Sequence, residues 1–199
     1  MMQGQTETVS PGLESPVMDS QRIFRAVLAT MARPGTVTVL GNWPDPPRPL
    51  RPAAASVCLA LADLDTPMWL GENPPAEVST YLRFHCGCPV VQDQESAGFA
   101  LVLDGTRLPD LSRFNPGHQE YPDRSTTVII QVNRLEVGSG VRLTGPGIKD
   151  EMRLGVVGLE ENFWTEMGRN HARYPLGYDV ILATDTEIAS LPRSVRVEV

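Results

Sequence analysis

The chain has 199 residues, 41% hydrophobic and 21% charged, the balance of a water-soluble globular domain. A formal net charge of −7 opposes a polyphosphate backbone and argues against nucleic-acid binding. No run approaches the roughly 18 apolar residues of a membrane span, and three cysteines do not make a disulfide framework.

Residues 1–16, MMQGQTETVSPGLESP, have neither a cationic start nor an apolar core, so they read as a disordered lead-in rather than a secretory signal. A cytoplasmic location is expected, with residues 17–199 forming one α/β domain. MDSQRIFRAVLATMARPG (18–35) reads as a helix. Asp19 or Ser20 is placed to cap it, Ile23, Phe24, Val27, Leu28 and Met31 form an apolar stripe, and Pro34-Gly35 stops it. TVTVL (36–40) is β-branched and reads as a strand, and the proline-rich 41–52 as an extended loop.

A second helix is expected over 53–65 with Pro52 at its start, then a short strand over 66–70 and a third helix over 73–87 closed near Gly87. Strands follow at PVV (89–91) and AGFALVL (97–103). The Asp-, Pro-, Gly- and Arg-rich stretch 104–125 reads as a long irregular insertion, and STTVIIQV (125–132) as the strongest strand. VRLTGPGI (141–148) reads as a strand entering a tight turn, 159–174 as a helix and YDVILAT (178–184) as a strand. Helices interleaved with strands predict a three-layer α/β arrangement around a mixed sheet.

The densest chemistry lies in LRFHCGCPVV (82–91), where His85, Cys86 and Cys88 crowd together. A structural zinc needs four ligands, usually as two paired clusters, and no second cluster exists. His118 and His171 stand alone, and Cys58 lies in an apolar helix. A disulfide across one residue would be strained, so the cysteines read as small buried hydrophobes and no metal is expected. Gly145 and Gly147 in LTGPGIKD could turn backbone N–H groups toward a phosphate. The stretch lacks the Gly-Lys-Ser/Thr of a phosphate-binding loop, however, and a tight turn is the favoured reading. Lys149 is the only lysine, and Asp150 and Glu151 beside it hold it charged, against a Schiff-base role. Arg83, Arg142 and Arg193 each fall near the end of an element. If they converge, they form an anion pocket. No complete catalytic constellation is present.

Seven segments in order carry a family resemblance: FRAVLATMARPG, CLALADLDTPMWL, LRFHCGCPVV, STTVIIQV, RLTGPGI, YPLGYDVIL and LPRSVRVEV. From Val17 to Val199 the chain resembles the PhnH family, the H subunit of the bacterial carbon–phosphorus lyase system of phosphonate breakdown. The resemblance implies a three-layer α/β/α sandwich, like a reduced pyridoxal-phosphate-dependent transferase fold without the cofactor. It also implies a homodimer that joins the G, I and J subunits. The assembly would couple a phosphonate to the ribose of a purine nucleoside triphosphate, giving a ribose 1-phosphonate 5-triphosphate that the J subunit cleaves by radical chemistry at an iron–sulfur cluster. No independent activity is implied for the H subunit. Within LRFHCGCP the family pattern includes Arg83 and His85 rather than the cysteines.

Two functions are therefore expected to compete. One is a noncatalytic docking subunit. The other is a nucleotide- or phosphonate-binding subunit, or a transferase, using Arg83, His85 and the Gly145–Gly147 turn. The second requires Arg83, His85, Arg142 and the glycine N–H groups to line one cleft.

Overall fold

A computed structural model describes residues 9–41 and 44–198. Helix α1 (Pro16–Ala32) begins two residues before the expected start, because Pro16 is tolerated in a first turn. The Asp19 carboxylate accepts the Ser15 N–H at 2.8 Å and pairs with Arg22, and the Ser15 bond holds it below the usual aspartate range. Strand β1 (Val37–Val39) follows. Helix α2 (Pro52–Leu61) starts at the expected proline but stops early. There Asp63 accepts the Asp65 N–H at 3.0 Å and the Thr66 hydroxyl at 2.6 Å, turning the chain into β2 (Met68–Trp69). Helix α3 (Ala76–Cys86) starts after Pro75, since residues that precede prolines favour extended backbone, and it ends on left-handed Gly87.

Strands β3 (Val90–Val91), β4 (Phe99–Val102) and β5 (Thr127–Gln131) fall where apolar runs predict them. The insertion between β4 and β5 carries two short 3-10 turns at Leu111–Arg113 and Pro122–Arg124. Next come β6 (Arg134–Thr144) and β7 (Met152–Val157), an antiparallel hairpin. The sequence reading found only the last residues of β6 and missed β7. Residues 136–140 of β6 are half-buried or exposed, carry two glycines and span a register shift between Val137 and Val141, so no alternating pattern marks them. Helix α4 (Phe163–His171) is shorter than expected, because Glu160 is bound to the loop after β4 through its N–H and its carboxylate. Strands β8 (Asp179–Ala183), β9 (Glu187–Leu191) and β10 (Arg196–Glu198) complete the chain.

The main sheet has seven strands in the order β1-β9-β8-β5-β4-β2-β3. The five strands from β8 to β3 are mutually parallel, while β9 and β1 are antiparallel additions, so the sheet is mixed as expected. Its strands are short continuous apolar runs because both faces are covered. One face carries α1, α2 and α3, packed through Ile23, Val27, Ala53, Ala54, Val57, Tyr81 and Leu82. The other carries Phe163 and Met167 of α4, with Leu135, Val141, Leu143 and Leu154 from a second sheet of order β10-β6-β7. The outer layers therefore differ from a purely helical sandwich. Nine-residue α4 is too short to cover a seven-stranded face, and the hairpin covers the rest. Among the described residues no helix is long and apolar enough to cross a membrane.

Candidate functional site

The end of α3 turns its crowded side chains to internal use. His85 is half-buried and its Nε2–H donates to the Ser10 carbonyl at 2.8 Å. Its ring packs edge-on to Tyr81 and Phe84 with centroids 4.5 and 5.0 Å away. The Tyr81 hydroxyl donates to the Pro11 carbonyl at 3.1 Å. Burial, with a smaller effect from Cys86, pushes that phenol up to about 12. Val9 and Leu13 pack against the helical-side core, so residues 9–13, part of the expected disordered lead-in, are clamped onto α3. Cys58, Cys86 and Cys88 are free thiols. The Cys86 thiol donates to the Cys58 carbonyl at 3.7 Å, and that of Cys88 to the Leu82 carbonyl at 4.0 Å. Burial holds Cys58 protonated, and contact with Cys88 followed by burial does the same for Cys86, while contact with Cys86 lowers Cys88. Among the described residues no group of three or more His, Cys, Asp or Glu is placed to hold a metal ion. Arg83, one residue from exposed Phe84, faces solvent.

The other candidate residues lie elsewhere. Arg142 is on β6, where it pairs with Glu151 and Glu198, both at 2.6 Å. Gly147 ends the turn after β6 at φ +83°, and a Cβ there would sit 2.1 Å from the Ala32 carbonyl oxygen, so the turn is pressed onto the end of α1. Gly145 lies against the backbone of Ser194 and Val195. Lys149 is exposed beside the turn. Arg193 is almost covered and grips Asp179 with two nitrogens, at 3.1 and 2.6 Å, while a third donates to the Pro122 carbonyl at 2.5 Å. The structure thus brings Arg83 and His85 together on α3, groups Arg142, Gly145 and Gly147 at one end of the small sheet, and sets Arg193 apart against Asp179.

A different set of residues meets beyond the carboxyl ends of β2 and β4. A cavity of about 520 Å³ there is lined by Trp69, Glu72, Gln94, Asp104, Arg107 and Arg113, among others. The sequence reading assigned residues 104–125 to an insertion and named none of these. The available signal was positional: Asp104-Gly105-Thr106-Arg107 begins directly after a buried parallel strand, where α/β proteins place their ligands.

A family model described as "Bacterial phosphonate metabolism protein (PhnH)" matches residues 11–198. The chain belongs to the PhnH family. It is 35% identical over 200 residues to the alpha-D-ribose 1-methylphosphonate 5-triphosphate synthase subunit PhnH of Rhizobium meliloti (strain 1021), covering 99% of each chain. It is 38% identical over 178 residues to a protein of Stutzerimonas stutzeri named "Putative C-P lyase subunit protein HtxG", covering 89% of this chain and 85% of the relative.

On this PhnH-family chain, helix α1 also presents an apolar surface. Val17, Phe24 and Leu28 recur at seven- and four-residue spacing and are 83%, 47% and 50% exposed, with Met18 at 59%. The predicted stripe is therefore divided: Ile23 and Val27 enter the core, while Phe24 and Leu28 point outward. Arg25 and Arg33 are exposed on the same helix and at its end.

Proposed function

We propose that this chain is a carbon–phosphorus lyase subunit that acts by docking. It would support formation of ribose 1-phosphonate 5-triphosphate from a purine nucleoside triphosphate and a phosphonate, without a reaction of its own. The observation that carries the reading is the outward apolar stripe of α1. Three large apolar side chains in one helical line, with Met18 beside them and Arg25 and Arg33 at the margin, suit a partner helix or groove with an acidic rim. The occupant is taken to be one of the G, I or J subunits. The names of the two relatives, each a subunit of a larger activity, support the same reading.

The rival reading needs Arg83, His85, Arg142 and the Gly145–Gly147 turn to share a cleft. Their partners lie in different parts of the fold: Ser10 for His85, Glu151 and Glu198 for Arg142, and Ala32 for Gly147. That separation favours docking. We also take the chain as a cytoplasmic homodimer, and its mixed seven-stranded sheet as a reduced pyridoxal-phosphate-dependent transferase core. Exposed Lys149, next to a turn pressed on α1, supports a core that does not form a Schiff base.

The test is co-expression with the G, I and J subunits. Phe24→Glu combined with Leu28→Glu is expected to remove this chain from the purified complex while leaving its own melting temperature within a few degrees, since both side chains are about half exposed. Recovery of the doubly substituted chain at full stoichiometry would overturn the assignment to α1.

A further inference from the structure

We propose that the crevice beyond β2 and β4 is a small-molecule site. Its ligand class carries one tetrahedral oxyanion, a phosphonate or a phosphate monoester, together with hydroxyl or ammonium donors. The inference stands apart from the docking reading, because no residue of α1 lines this cavity.

Topology places the crevice. From β2 the chain runs through α3, on the helical face, to β3 on one side. From β4, on the other side of β2, it runs through Leu111 and Phe114, on the opposite face, to β5. Connections that leave two neighbouring parallel strands in opposite directions open a gap at their carboxyl ends, and open α/β sheets bind ligands in that gap. The cavity is lined by the last residue of β2, Trp69, and by the end of β4 with the loop after it. A volume of about 520 Å³ suits a metabolite rather than a few waters.

The loop is held in place before any ligand arrives. A Cβ at Gly105 would stand 2.6 Å from the Gly158 carbonyl oxygen and 2.8 Å from that of Gln131, so glycine is needed for the chain to pass. The Gly105 N–H donates to the Gln131 carbonyl at 3.0 Å, the Leu108 N–H to the Glu160 carboxylate at 3.0 Å, and the Gln94 amide to the Asp110 carbonyl at 3.2 Å. Pre-organisation of this kind lowers the cost of binding.

Polarity narrows the ligand. Arg107 and Arg113 are exposed and, unlike Arg142 and Arg193, take part in none of the ion pairs among the described residues. Trp69 is only 5% exposed, yet among the described residues its indole N–H has no hydrogen-bond partner. A buried donor left unpaired is costly, and a ligand oxygen would relieve it. Asp104 and Asp110 face the same space. Asp104 accepts the Thr106 hydroxyl and N–H, and Asp110 those of Ser112. These bonds hold both carboxyls below the usual aspartate range and keep them ionised. With Glu72 the lining therefore carries both signs. One oxyanion can lie between the guanidiniums while hydroxyls or an amine meet the carboxylates. A triphosphate would be repelled by the same carboxylates.

The experiment is a nuclear magnetic resonance titration of the isotope-labelled full chain. Its three tryptophans give three indole cross-peaks, and that of Trp69 is identified by its loss in Trp69→Phe or, if that variant does not fold, by through-bond assignment. Ribose 5-phosphate and 2-aminoethylphosphonate are the two arms, with inorganic phosphate and ATP as comparisons. At least one arm is expected to shift the Trp69 indole saturably and to bind more tightly than inorganic phosphate or ATP. The tighter arm identifies the source of the oxyanion. Arg107→Gln with Arg113→Gln is expected to weaken it about tenfold or more, the loss of charge-assisted hydrogen bonds. Arg142→Gln and Phe24→Glu with Leu28→Glu are expected to titrate like the unsubstituted chain, so failure of the docking reading leaves this result intact. No saturable shift in either arm, equal binding by inorganic phosphate, tighter binding by ATP, or indifference to the arginine substitutions would each overturn the proposal.

Discussion

The end of α3 and the crevice beyond β2 and β4 are both rich in polar side chains, but they differ in what those side chains are bonded to. At the end of α3, His85 and Tyr81 hold the backbone of residues 10 and 11, and the thiols of Cys86 and Cys88 reach backbone carbonyls. In the crevice, among the described residues, the Trp69 N–H has no hydrogen-bond partner, and Arg107 and Arg113 form no close ion pair, their charges acting on nearby Asp104 and Asp110. Groups with internal partners contribute to the fold, whereas groups without them are available to a ligand. Crowding along the sequence says little about which applies, because it does not report what lies across the fold.

The comparison can be broken most sharply at its structural end. Leu82→Ala, at a wholly buried position on α3, is expected to destabilise the chain by about 2–5 kcal/mol, read from denaturant midpoints. A smaller loss would mean that the α3 end packs loosely enough to be remodelled for function. The arginines give the next contrast. Arg193→Ala removes the two-nitrogen grip on Asp179 and the bond to the Pro122 carbonyl, and is expected to cost about 2 kcal/mol. Arg107→Ala is expected to stay within about 0.5 kcal/mol of the unsubstituted chain, as exposed side chains without a close ion pair usually do. Equal losses would show that Arg107 has a structural partner after all and would weaken the case for the crevice.

Much of the architecture was legible in the sequence because it rests on local patterns. Pro52 and the prolines at 74–75 mark helix starts, Gly87 a helix end, and the continuous apolar runs of β4, β5 and β8 a sheet covered on both faces. The β6–β7 hairpin was not legible. Its exposed glycine-containing stretch carries no period-two signal, and its stability comes from pairing and from covering the second sheet face with Leu143 and Leu154. The division of the α1 stripe was hidden for a related reason, since periodicity shows that Phe24 and Leu28 are apolar but not that α2 and the sheet are already satisfied by Ile23 and Val27. The crevice depends on strand order. Residues 69, 94, 107 and 113 come together only because β4 is inserted beside β2 on the side away from β3.

The smallest expected effect concerns the crevice carboxylates. Asp104 and Asp110 are stabilised as anions, first by side-chain hydroxyls and then by N–H groups, so their folded pKa values lie below the unfolded ones. A depressed carboxyl contributes stability that is fully present above the unfolded aspartate value and is lost as pH falls through the folded one. Both groups are near the surface, so water limits the effect on melting temperature, and carboxyl titration followed by nuclear magnetic resonance is the sensitive measurement. Both are expected to titrate below the ordinary aspartate range. Thr106→Val should raise Asp104 by removing its hydroxyl donor while the backbone N–H bond remains, and should leave Asp110 where it was. A ligand with hydroxyl or ammonium donors should lower both further, because it bonds to the ionised form. Such ligand-linked lowering would separate a crevice that binds through both signs of charge from one in which the carboxylates merely shape the loop. At the end of α3 the shifts come from internal contacts instead: burial keeps the Cys58 thiol protonated, contact with Cys88 and then burial do so for Cys86, and contact with Cys86 lowers Cys88.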